Sequence, residues 1–74
     1  MSILHMHQLG KGAGDILCGW HGIDQMVEIK VPGGTLTTDE ERFHRTWRGS
    51  PILIAETAEQ VIRHMANRVS LSRT

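Results

Sequence analysis

The apolar and polar positions of the chain change their period several times. Ile3-Leu4-His5-Met6-His7 is a short apolar-rich run and predicts a first strand. Gly10-Lys11-Gly12-Ala13-Gly14 follows as a glycine-rich loop, and Asp15-Ile16-Leu17-Cys18 opens a second strand. From Gln25 to Val31 the chain alternates, with Met26, Glu28 and Lys30 on one face and Val27, Ile29 and Val31 on the other; Pro32-Gly33-Gly34 stops this third strand. Thr37-Thr38-Asp39-Glu40-Glu41 then reads as a helix start, because Thr37 with Glu40 and Thr38 with Glu41 each fit a capping box. The predicted helix runs to about Arg48 and ends at Gly49. Ser50-Pro51 leads into a short buried strand, Ile52-Leu53-Ile54-Ala55. Thr57 with Gln60 is a further capping box, after which Ala58, Val61, Ile62, Met65, Ala66 and Val69 keep helical spacing. Residues 70–74 read as a frayed tail. The order β-β-β-α-β-α predicts an α/β fold, a small mixed β-sheet flanked by helices, as one domain spanning residues 1–74 without repeats or linkers.

The second and third strands flank Gly19-Trp20-His21-Gly22-Ile23-Asp24. A two-residue turn at His21-Gly22, with Gly22 supplying a positive φ, pairs Trp20 with Ile23. Carried back along the strands, that register sets Asp15 opposite Glu28, with Lys30 on the same face two residues further on. Directly opposed carboxylates destabilise a sheet. A divalent cation offsets this, since hard cations take carboxylate oxygens and Mg²⁺ commonly uses one or two carboxylates plus waters and substrate phosphate. The adjacent lysine would then stabilise charge on a phosphate or orient an attacking water. The alternative is a solvated strand face carrying Glu28 and Lys30, with Asp15 at its mouth.

Composition narrows the classes. Of 74 residues, 39% are hydrophobic and 22% charged, which places the chain among folded globular domains. Eight Lys and Arg balance eight Asp and Glu, which argues against a polybasic, histone-like mode of nucleic-acid binding while a local basic patch stays open. Cys18 is the sole cysteine, which excludes an internal disulfide and a cysteine-built zinc site. There is no long apolar run for a membrane span and no basic-then-apolar signal at the N-terminus, so the expected compartment is the cytoplasm. A chain this short buries a thin core and is expected to lean on a metal or on a second copy, as a homodimer.

Gly12-Ala13-Gly14-Asp15, Val27-Glu28-Ile29-Lys30 and the segment from Leu36-Thr37-Thr38-Asp39-Glu40-Glu41 through Phe43-His44-Arg45-Thr46-Trp47-Arg48-Gly49 resemble the small phage and prophage nucleases of the VRR-NUC group, within the PD-(D/E)XK superfamily. The resemblance extends from about Leu9 to Met65. It implies a restriction-endonuclease-like core and Mg²⁺- or Mn²⁺-dependent hydrolysis of DNA phosphodiester bonds, in the host cytoplasm if phage-encoded; a structure-selective enzyme for junction or flap DNA and a general endonuclease both stay open. It further implies Asp15, Glu28 and the Ile29 backbone carbonyl as metal ligands and Lys30 as the catalytic lysine. Two departures stand out. Gly14 takes the place usually held by proline, and the family's N-terminal helix is expected to be absent, because the first strand begins almost at Met1. The competing expectation is a non-catalytic nucleic-acid-binding or assembly module on the same fold.

Other residues carry weaker signals. Glu40, Phe43 and Trp47 share a helix face, so Glu40 reads either as the capping-box acid or as a group supporting the metal site. Arg42, Arg45 and Arg48 around Trp47, together with Lys11, are candidate substrate contacts, against the alternative of a solvated face. Arg63, Arg68 and Arg73 form a second basic region. Glu41 and Arg45 are spaced for a surface ion pair. His5 and His7 share a strand face but lack a third ligand at diagnostic spacing. His44, one turn beyond Glu40, reads as a packing residue or a substrate contact, and His21 and His64 as turn and rim residues. The glycines of residues 10–14 do not form a nucleotide cradle, since no Ser or Thr follows Lys11 at the required spacing and a strand begins where a helix should.

Overall fold

A computed structural model describes residues 1–6 and 15–72. His7, the glycine-rich stretch with Lys11, and residues 73–74, which include Arg73, lie outside the described residues. The elements are β1 (Ser2–His5), β2 (Ile16–Trp20), β3 (Ile23–Ile29), α1 (Thr38–Thr46), β4 (Leu53–Ala55) and α2 (Ala58–Ser72). The sheet runs β1-β2-β3-β4. Its first three strands are antiparallel, while β4 is parallel to β3, pairing Val27 with Leu53 and Ile29 with Ala55. A parallel neighbour cannot be reached by a tight turn, so the chain crosses over through α1 between β3 and β4.

The turn that joins β2 to β3 fixes the register. His21 (φ 50°) and Gly22 (φ 77°) are both left-handed, the backbone of a type I′ turn whose twist matches that of the flanking strands. Trp20 pairs with Ile23, and the ladder continues to Ile16 opposite Val27, as expected from the sequence. Beyond that point it slips: the Asp15 N–H donates to the Val27 carbonyl at 2.9 Å, one residue out of register, so Asp15 is not the direct cross-strand partner of Glu28 that the turn register predicts.

Period-two alternation sorts the two faces. Ile16, Cys18 and Val27 turn towards α2 and form the core with Ala55, Val61 and Met65, flanked by Trp20, Ile23 and Leu53. On α2 only Val61, Met65 and Val69, each four residues apart, are buried. The expected apolar stripe is therefore narrower than the sequence suggests. Ile62 is half exposed, because α2 seats one ridge on a four-stranded sheet and its flank overhangs an open groove beside Met1, Ile3 and Ile29.

A polar anchor adds to this packing. The buried Gln25 amide donates to the Pro51 carbonyl at 2.9 Å and to the Met26 carbonyl at 2.8 Å. Its oxygen accepts from Arg68 at 2.9 Å and lies 3.1 Å from His64 Nε2. Arg68 also donates to the Asp24 carbonyl at 2.8 Å. A buried amide satisfied on both ends holds α2, β3 and the approach to β4 together, so Arg68 of the second basic region is occupied structurally.

Element ends differ from the sequence expectation in small ways. At α1, Thr37 and Glu40 form the capping box, rather than Thr38 and Glu41. This helix stops at Thr46, short of Arg48, because Trp47 turns to an extended backbone and stacks on Phe43 with ring centroids 5.5 Å apart. Gly49 fits beside that indole: a Cβ there would lie 2.7 Å from Trp47 Nε1. α2 continues to Ser72, so residues 70–72 are helical. The i,i+4 ion pair found is Arg63–Glu59 at 2.7 Å, while Glu41 and Arg45 form none.

Met65 is fully buried at the centre of the α2–sheet contact. Met65→Ala is expected to cost about 2–5 kcal/mol from lost transfer energy and the residual cavity. Urea denaturation checks this; a loss below about 1 kcal/mol would show that the cluster is not the core.

Candidate functional site

The face of the sheet opposite α2 carries the chemistry. Glu28 and Lys30, two residues apart, leave β3 on this side, and Asp15 stands at the mouth of β2. The capping box starts α1 so that Glu40, in its first turn, and His44, one turn later, look back at the same place. This face has little apolar filling. Leu17 and Met26 are half-buried and no residue of α1 is fully buried, yet the Glu28 side chain is only 1% exposed.

The contacts are specific. The Lys30 ammonium donates to Glu40 Oε1 at 2.5 Å. The same oxygen accepts the Thr37 N–H at 2.8 Å, closing the capping box. Glu40 is therefore the capping-box acid, and the same carboxylate oxygen also holds the lysine. Asp15 Oδ2 accepts the Ile29 N–H at 2.7 Å, which brings the Ile29 backbone to the cluster while its side chain lies half exposed on the other face. His44 Nε2 lies 4.0 Å from Glu28 Oε1, too far for a hydrogen bond. Both atoms are buried without a hydrogen-bond partner.

This environment splits the carboxyls. Burial pushes the Glu28 carboxyl up to about 8, helped by hydrogen bonding to Asp15 and Glu40 and by their negative charge. Glu40 is held down at about 2, first by its bond to Lys30 and then by the Thr37 N–H. Lys30 is raised above its ordinary value by the bond to Glu40, with the negative charge around it adding to the shift. In the absence of a cation Glu28 is a neutral acid at neutral pH, and Lys30 is a fixed cation.

Of the residues singled out from the sequence, Asp15, Glu28, Lys30 and Glu40 come together. Arg42, Arg45 and Arg48 do not join them: they are exposed on α1 and just beyond its end. Lys11 lies outside the described residues. His44 is the member whose place at the acids the sequence reading underweighted. Its signal was the four-residue spacing from Glu40, which sets both on one helix face. Among the described residues no three His, Cys, Asp or Glu side chains form a ready-made cation cage. The donor set nevertheless suits a hard divalent cation, with carboxyls clustered around a buried oxygen that lacks a partner. No helix of the described residues is long and apolar enough to cross a membrane. No family model, no curated protein and no solved structure matches the chain.

The two glutamates give opposite pH dependences. Folded Glu28 keeps its proton up to about pH 8, whereas an unfolded glutamate loses it near 4.5. Between those limits the folded chain binds the extra proton, so stability falls as pH rises, by at most about 1.4 kcal/mol per pH unit and less where water screens the cluster. The Glu40 contribution is present above about 4.5 and is lost as pH falls towards 2. Urea unfolding between about pH 5 and 8 should show a declining stability that Glu28→Gln flattens. The same decline in Glu28→Gln would assign it to another group.

Proposed function

We propose that this chain is a metal-dependent endonuclease that hydrolyses DNA phosphodiester bonds, with junction or flap DNA as candidate substrates. The observation that carries the reading is the partnerless, buried Glu28 oxygen in a cluster with Asp15 and Lys30, the residues the nuclease resemblance implies. The mixed four-stranded sheet, with a helix crossing over between β3 and β4, is compatible with a restriction-endonuclease-like core. Asp15 and Glu28, with the Ile29 carbonyl, would hold Mg²⁺ or Mn²⁺. Such a cation supplies Lewis acidity towards a phosphoryl oxygen and makes water a stronger acid.

The chain's own groups set the rest of the chemistry. Glu28 must give up its proton to serve as an anionic ligand, so cation binding is coupled to proton release. Asp15 is oriented by the Ile29 N–H. Lys30 stays protonated against Glu40, so it acts as a fixed positive charge for the phosphate or the attacking water and not as the base. Arg42, Arg45 and Arg48 are exposed and free to meet the DNA backbone, where each phosphate contact adds salt-sensitive affinity. The work would fall in the cytoplasm, that of the host for a phage-encoded enzyme.

One observation favours a second reading. Lys30 is already engaged by Glu40 at 2.5 Å, an arrangement that also suits a non-catalytic nucleic-acid-binding or assembly module in which the pair simply secures α1. Lys30→Ala separates the two. In the nuclease it lowers Mg²⁺-dependent cleavage of branched or flap DNA by about 10²–10³-fold, with the melting transition little changed because Thr37 and Glu40 still cap α1. Unchanged cleavage, or loss of the fold, overturns the assignment of Lys30.

A homodimer belongs to the same proposal. β1 is an edge strand whose residues are all exposed, with Ile3 53% and Leu4 60% accessible on opposite faces and no Lys or Pro to guard the edge. Sedimentation equilibrium should show a dimer at micromolar concentration that Leu4→Lys dissociates. A monomeric wild type contradicts it.

A further inference from the structure

The end of α1 presents an aromatic surface that the core does not use. Trp47 caps the helix with an extended backbone, and its indole stacks on Phe43 with 27° between the ring planes. Trp47 nevertheless stays 43% exposed. Gly49 lies against the same ring and brings no side chain to cover it. The indole is held in place by Phe43, yet much of it faces solvent.

Beside the ring is a cleft of about 180 Å³, lined by Leu17, Asp24, Met26, Trp47 and Ser50. Leu17 and Met26 are cross-strand partners, both half-buried, and supply its apolar surface. Asp24 adds an acid, which repels phosphate and accepts hydrogen bonds from amino groups. The same stretch of chain as Trp47 carries three uncommitted guanidiniums. Arg42, Arg45 and Arg48 are exposed, and among the described residues their side chains form no ion pair or hydrogen bond. Arg63 and Arg68, by contrast, are engaged by Glu59 and Gln25.

We propose that Trp47 is a stacking platform for an unpaired base of single-stranded DNA, with the flanking phosphates on Arg45 and Arg48. An exposed ring stacks any base on its π-face, while nearby cations track the backbone. In a duplex each base is already covered on both faces by its neighbours, so a single strand is preferred. The acid in the cleft turns phosphate away, which leaves the base as the group that enters. Met26 precedes Glu28 by two residues on the same face of β3, about 7 Å along the strand. A base held here therefore lies beside the acid cluster. The inference rests on the DNA reading of the proposed function, and it holds for the nuclease and for the non-catalytic binding module alike.

The test measures binding in EDTA, so that no cleavage enters. The chain has two tryptophans, and Trp20→Phe leaves Trp47 as the sole emitter. Its fluorescence is followed as a mixed-sequence single strand or the matching duplex is added, and affinities are taken from the anisotropy of a fluorescein-labelled strand. The single strand is expected to bind more tightly than the duplex and to quench Trp47. Trp47→Ala should weaken single-strand binding about tenfold or more and leave duplex binding nearly unchanged, with Trp47→Phe in between. Arg45→Ala and Arg48→Ala should each lower the salt dependence of single-strand binding, by about 0.7 in the log–log slope. Unquenched Trp47 emission at saturation, equal affinity for single strand and duplex, or equal losses in the Ala and Phe variants overturns the inference. Quenching is read with Trp47 in place, so an Ala variant that fails to fold leaves the test standing. Flap cleavage without quenching removes this site and keeps the nuclease. Quenching without cleavage keeps this site and removes the nuclease.

Discussion

Everything on both faces of the sheet depends on the parity set at the His21-Gly22 turn. Two consecutive left-handed residues give a two-residue turn, and a two-residue turn allows one register between β2 and β3. A slip by one residue would send Val27 to the polar side and bury Glu28 and Lys30 against α2. With the register held, Ile16, Cys18 and Val27 meet Val61 and Met65 on one side. Glu28 and Lys30 then meet α1 on the other. The turn is closed by local sterics, and the hydrophobic cost of burying charge against α2 makes the alternative registers unfavourable.

The two layers are held by different forces. α2 is seated by apolar burial, with the Gln25, His64 and Arg68 network fixing its orientation. α1 has no fully buried residue; its capping box fixes its start, and the Lys30–Glu40 pair links it to the end of β3. A single carboxylate oxygen of Glu40 joins those two devices. The helix start and the lysine therefore share one acceptor.

Glu28 is the point where folding and chemistry pull against each other. An acid enclosed beside Asp15 and Glu40 costs stability in its charged form, and the chain meets this by keeping the carboxyl protonated up to about pH 8. An apolar residue of the same size would pack without that cost. Local rules that fail in this way, amid otherwise consistent propensities, mark functional sites more often than errors of folding. The buried His44 Nε2 beside it, without a hydrogen-bond partner, is a second such failure at the same place.

What the sequence by itself determined are the features settled within a few residues. The alternation of β3, the His21-Gly22 turn, the Thr37–Glu40 capping box and the Val61–Met65–Val69 seam are each written in neighbouring side chains. They were enough to order the elements, to place Glu28 and Lys30 on one face, and to set the β2–β3 register from Trp20 to Ile16, whereas Asp15 falls beyond the point where that register holds. The tertiary structure decided the rest, because it depends on where the helices dock. No short window shows that α1 leans on the sheet so that His44 stops 4.0 Å from Glu28. None shows that the Asp15 carboxylate folds onto the Ile29 N–H, or that Arg68 is drawn from the surface to Gln25. Those contacts join residues 14 to 43 positions apart, and their geometry is set by the packing of whole faces, on which residue spacing along one strand or helix has no bearing.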